Sequence, residues 1–121
     1  MIRIFLIAAL TCAGMHAEEH RASRLWKASI AALGAGIASD LATSAGRYET
    51  NPLLRGNGLG VSPARAVMFK IAPAVALIGV EGLILHRNRG MAGRGFAVVN
   101  FASAGLLTAT ALHNSTVPHI Q

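Results

Sequence analysis

The chain has 121 residues, 53% of them hydrophobic and 13% charged, with a formal net charge of +6. A soluble domain carries about a quarter charged residues, so too little charge is present here to coat a globule of this size. The positive balance does not indicate nucleic acid, because the basic residues are spread between apolar runs without a dense cluster and aromatics are only 5%. Basic segments beside lipid headgroups account for it.

The first 17 residues read as an export signal. Arg3 supplies a positive start, Ile4 to Gly14 is an apolar run of signal-core length, and His16-Ala17 precedes the acidic pair Glu18-Glu19. Cleavage is expected after Ala17; Met15 stands where a small residue is usual, which leaves Gly14 or an uncleaved anchor as alternatives. The single cysteine, Cys12, lies in this segment, and Ala9-Leu10-Thr11 before it does not fit a lipidation signal. Removal of the segment leaves no cysteine for a disulfide or a thiolate metal site.

Residues 18–121 are expected to form one all-α domain, a small helical membrane bundle with three transmembrane spans at about 26–45, 64–85 and 95–112. Hydrocarbon about 30 Å thick needs about 20 helical residues, and each run has about that length. A basic lead-in from His20 to Lys27 enters the first helix, with Trp26 suited to a membrane interface. Gly46 marks its end. A polar loop from Arg47 to Ser62 follows, broken by Asn51-Pro52 and by the run Gly56-Asn57-Gly58-Leu59-Gly60. Ser62-Pro63 reads as a cap with proline in the first turn of the second helix, and Pro73 removes one backbone bond and bends it. His86 to Gly95, with Arg87, Arg89 and Arg94, is a tight basic connection, and Asn114 to Gln121 is a polar tail.

The first span is not apolar enough to be secure alone. Ala28 to Ala45 is mostly small residues, and Asp40 near the middle costs about 3 kcal/mol to insert. Ala32 with Gly36, and Ala35 with Ser39, are four apart and allow close approach of another helix, with a weaker line of Ala97, Phe101 and Gly105 on the third span. The plain alternative is that Ala and Gly merely fill space.

Charged groups within the spans need partners. Asp40 lies in the first, Lys70 and Glu81 in the second. Lys70 and Glu81 are separated by about 16 Å of helix and do not pair with each other. The expectation is that Asp40 or Glu49 pairs with Lys70, and that Glu81 meets Asn100 or another protomer; the alternative for Lys70 is snorkelling to the headgroups.

Asp40, Thr43, Ser44 and Arg47 follow helical spacing and form one polar stripe leading into Glu49-Thr50-Asn51-Pro52-Leu53. The pattern Asp40-x-x-Thr43, then Gly46-x-x-Glu49-x-Asn51-Pro52-Leu53, then Lys70, resembles a bacterial family of small multi-pass membrane proteins of unknown function. The likeness extends more loosely to Asn100 and His113-Asn114. It implies a multi-helical membrane fold in the bacterial inner membrane, with Asp40, Glu49, Asn51 and Pro52 in a shared polar core, and it supplies no activity. The residues themselves also support a structural role: Asn51 before Pro52 restricts a turn, and Glu49 can bond exposed amides at the next helix start.

Other motifs are rejected. His16-Ala17-Glu18-Glu19-His20 has the letters of a zinc peptidase signature, but the expected cleavage cuts through it and no further ligand is evident. The glycine run lacks the spacing, strand and lysine of a phosphate loop. Asn114-Ser115-Thr116 is a sequon only in a eukaryotic secretory lumen. No cofactor or metal is implied.

Orientation signals disagree. A cleaved signal puts the 47–62 loop in the cytoplasm, whereas Arg21, Arg24, Lys27, Arg87, Arg89 and Arg94, against Arg47, Arg55 and Arg65, argue the reverse. Two function classes follow. The first is a non-enzymatic structural or interaction module whose partners are the bilayer and a second copy or a larger membrane complex. The other is a proton or ion pathway, or an accessory subunit of a transporter, using Asp40, Glu49 and Lys70.

Overall fold

A computed structural model describes the backbone of residues 2–49, 51–87 and 92–118, and side chains from Glu19 onward within them. The side chains of the expected signal, including Cys12, and Thr50, Arg89 and the last three residues of the tail lie outside the described residues. The architecture is all-α: α1 (Ile2–Ser44), α2 (Pro63–Arg87) and α3 (Ala92–Ser115). Among the described residues, α2 and α3 are the helices long and apolar enough to cross a membrane.

The second helix opens at Pro63 as expected, while the start of α1 and both ends of α3 differ from the sequence expectation. No proline interrupts residues 2–44, so α1 is one element of 43 residues that takes in both the signal-like segment and the first span, with no turn at Ala17. It ends at Ser44, and Gly46 adopts φ 68°, the left-handed conformation that closes a helix and favours glycine. α2 begins at Pro63 after Ser62 in extended backbone, but the Ser62 hydroxyl makes no capping bond; its carbonyl accepts from Ala66 N–H at 2.9 Å. α3 starts at Ala92 and runs to Ser115, so Arg94 and Gly95 are helical rather than part of the connection, and Asn114 belongs to the helix rather than the tail.

Pro73 acts one turn upstream of its own position. Residues Val67–Ile71 form a wide π turn, with Ala72 N–H bonded to the carbonyl of Val67. Proline has no N–H, and the wider turn rearranges the bonding of the residues just before it. Lys70 sits on this turn.

α1 and α3 are parallel and pack closely along most of their shared length, while α2 runs antiparallel to both. The contact face of α1 is Ala22, Trp26, Ser29, Leu33, Gly36, Asp40 and Ser44; that of α3 is Gly93, Ala97, Asn100, Ala104, Leu107, Ala111 and Asn114. Steps of four and three alternate almost throughout, as on a left-handed coiled-coil seam. A Cβ added at Gly36 would stand 3.1 Å from the carbonyl oxygen of Ala104, so the backbones meet here. The small-residue lines expected at fixed steps of four are therefore corrected. Gly36 and Ala97 lie in the seam, but Ala35, Ser39, Phe101 and Gly105 are exposed, because a strict four-residue line drifts off a face with 3.6 residues per turn.

α2 meets the other two helices differently. Its buried residues are Ala66 and Glu81 alone, and large apolar side chains such as Phe69, Val75 and Leu83 point outward. Leu106 and Val98 of α3 are exposed in the same way. The large apolar side chains of α2 and α3 thus lie mostly outside, while the interior holds small residues and the polar groups Ser29, Asp40, Ser44, Glu81 and Asn100.

Candidate functional site

Two polar layers cross the bundle. They are 11 residues apart on α1 (Ser29 and Asp40) and 11 apart on α2 (Glu81 and Lys70), or about 16 Å along each helix. Equal spacing on antiparallel helices lets one register serve both layers.

In the layer near the loop of residues 47–62, Lys70 Nζ stands 2.5 Å from Asp40 Oδ2. Asn114 Nδ2 donates to Asp40 Oδ1 at 3.0 Å and to Ser44 Oγ at 2.8 Å, and the Ser44 hydroxyl donates to the Asp40 carbonyl at 2.7 Å. Asp40 is 1% exposed. Its charge is thus met by a cation from α2 and an amide from α3, which joins all three helices at one carboxylate. Every acceptor of that carboxylate has a donor.

The motif residues divide between this layer and the loop. Thr43 bonds the carbonyls of Ser39 (2.9 Å) and Asp40 (3.2 Å) on its own helix and does not reach Lys70. Glu49 does not pair with Lys70 either: its Oε1 accepts from Asn51 N–H at 2.8 Å, two residues on, where Asn51 Oδ1 accepts from Leu53 N–H at 3.0 Å. These bonds belong to the loop's own turn, not to the start of α2, where Glu49 was expected to act. The same turn is held by Leu54 and Arg55 N–H on the Asn51 carbonyl, and Arg65 Nη1 donates to the carbonyls of Pro52 (3.1 Å) and Arg55 (2.7 Å). Pro52 is exposed and serves the turn through its fixed backbone. Arg47 lies beyond the end of α1 and donates to the carbonyl of Val117.

The second layer contains Glu81 and Asn100, at 1% and 0% exposure. Asn100 Nδ2 donates to Glu81 Oε2 at 2.9 Å and to Ser29 Oγ at 3.2 Å, and Trp26 Nε1 donates to the same Glu81 oxygen at 2.8 Å. The Ser29 hydroxyl is committed to the Trp26 carbonyl at 2.7 Å. Glu81 makes no ion pair among the described residues, and Glu81 Oε1 and Asn100 Oδ1 are buried without a donor. Sequence spacing alone marks neither Trp26 as a partner of Glu81 nor Ser29 as a partner of Asn100. The readable signal was their place on the seven-residue seam, with a polar Ser29 between Ala22 and Gly36.

Two recesses open beside these layers. One, of about 420 Å³, is lined by Glu19, His20, Ser23, Trp26, Gly82 and His86 among others, so Trp26 forms part of its wall and bonds Glu81 behind it. The other, of about 130 Å³, lies between Arg47, Tyr48, Glu49, His113 and Asn114. Among the described residues, no three histidine, cysteine or carboxylate side chains gather as a metal site.

No protein-family model, curated protein or solved structure matches this chain.

Proposed function

We propose that the protein is a small integral membrane module without enzymatic activity, which crosses the bilayer three times and assembles with a second copy or with a larger membrane complex. The observation that carries this reading is the inverted polarity of α2, whose buried residues are one alanine and one carboxylate while its large apolar side chains face out. Lipid acyl chains are the natural cover for that face. α1, with its small residues and Asp40, crosses as a companion to α3, against which its backbone is packed. A bacterial inner-membrane location, a removable signal ending near Ala17 and membership of the family that shares the Asp40 to Leu53 motif belong to the same reading.

The arrangement around Asp40 favours a holding role. Its carboxylate is saturated by Lys70 and Asn114, and Glu49 is engaged in its own turn, which gives less support to a pathway running through Asp40, Glu49 and Lys70. Membranes carrying the full chain should retain it through carbonate extraction, and cross-linking in those membranes followed by mass spectrometry should capture a second copy or a fixed set of membrane proteins. Release into the carbonate supernatant would end the membrane reading; a chain that stays in the membrane but cross-links to nothing would end the assembly reading.

A further inference from the structure

Glu81 and Asn100 pose a problem of hydrogen count. Their side chains face each other with one bond made, Nδ2–H to Oε2, and the other carboxylate oxygen of Glu81, Oε1, and the amide oxygen of Asn100, Oδ1, are buried and lack a donor. Turning the Asn100 amide over does not solve it. The two groups around Nδ2 are both acceptors: Ser29 Oγ has spent its hydrogen on the Trp26 carbonyl, and Glu81 Oε2 already receives Trp26 Nε1–H. The nitrogen therefore belongs where it is. An unpaired buried acceptor is destabilising, and a buried carboxylate without a counter-charge is more so.

We infer that the Glu81–Asn100 pair is a proton-holding site. A single hydrogen on Glu81 Oε1, donated to Asn100 Oδ1, supplies both orphaned oxygens at once and removes the uncompensated charge. The result is a neutral ring of two hydrogen bonds, amide N–H to acid carbonyl and acid O–H to amide carbonyl. The ligand is a proton, and Trp26, which bonds Glu81, separates the pair from the recess that it walls. The titratable groups on that recess are Glu19 and His20 from α1 and His86 from α2; α3 contributes Gly93 there, with Arg94 next to it. The Asp40–Lys70 pair is a layer away and is charge-balanced. The site thus differs in kind from the Asp40 layer: one is closed by a fixed cation, the other by an exchangeable hydrogen.

Infrared difference spectroscopy of the purified full chain in liposomes near neutral pH tests this. The carbonyl stretch of a protonated carboxyl should be present in the unsubstituted protein, shift on transfer to deuterium oxide, and be lost in Glu81→Gln. In Asn100→Leu the band should persist but move to higher frequency, because its hydrogen-bond acceptor is gone. Should Glu81→Gln fail to fold, the chain labelled with δ-carboxyl-¹³C glutamate assigns the band to glutamate through its isotope shift, and the frequency change of that labelled band in Asn100→Leu assigns it to Glu81 rather than Glu18, Glu19 or Glu49. A spectrum in which glutamate contributes carboxylate bands alone overturns the proposal, and so does loss of the protonated band on adding sodium or potassium chloride, which would make the site one for a metal cation.

Discussion

Lys70 Nζ and Asp40 Oδ2 meet at 2.5 Å although 30 residues and a polar loop separate them in sequence, and the lysine reaches the carboxylate from the π turn that precedes Pro73. The Lys70 side chain is 15% exposed and Asp40 nearly buried, so the pair is largely withdrawn from solvent. Removing one partner leaves a buried charge, which typically costs about 3–5 kcal/mol, whereas replacing both by apolar residues of similar size is close to neutral. Asp40→Leu and Lys70→Met should each lower the thermal midpoint in mild detergent sharply, and the double variant should recover most of the loss. An additive double variant would show that the pair does not act as a unit.

Gly36 and Gly34 offer a contrast two residues apart on the same helix. A side chain at Gly36 meets the Ala104 backbone and Leu107, whereas nothing lies within 4 Å of a Cβ at Gly34. Gly36→Val should push α1 from α3 and cost about 1–3 kcal/mol, while Gly34→Ala should be neutral or gain up to about 1 kcal/mol through helix propensity. Thermal unfolding of the two variants side by side checks both.

At Gly46 the constraint is backbone conformation rather than space. With φ at 68°, alanine there is strained by about 1–2 kcal/mol. Gly46→Ala should loosen the end of α1 and the adjoining loop, read as faster hydrogen exchange over residues 45–49, and Gly46→Asn should retain more protection because asparagine tolerates this region.

The Glu49 and Asn51 side chains hold a turn and not the bundle. Asn51→Ala deletes the acceptor for Leu53 N–H and should raise cleavage of the 47–62 loop by a soluble protease, while leaving the thermal midpoint within about 0.5 kcal/mol of the unsubstituted chain. A fall as large as that of Asp40→Leu would place Asn51 in the inter-helix cluster instead.

Because α1 and α3 are parallel and α2 opposes them, reporter fusions after His20 and between α2 and α3 should face one compartment, and a fusion after Gly58 the other. Agreement of all three would contradict the up-down-up arrangement in the bilayer.

The sequence alone determined the elements and their character. Apolar length fixed α2 and α3, Gly46 and Pro63 fixed ends, and the rarity of charge within apolar runs made Asp40, Lys70, Glu81 and Asn100 residues that needed partners. Tertiary structure decided who those partners are. Choosing Asp40 over Glu49 for Lys70 depends on the antiparallel register of α1 and α2, and on local geometry that turns Glu49 back onto Asn51 N–H. The seam depends on a parallel pairing of α1 with α3 that brings Ser29 to Asn100 across 71 residues, a separation no local pattern encodes. The orphaned oxygens of Glu81 and Asn100 are likewise visible only in three dimensions, because a missing donor is a property of the enclosed space and not of either residue.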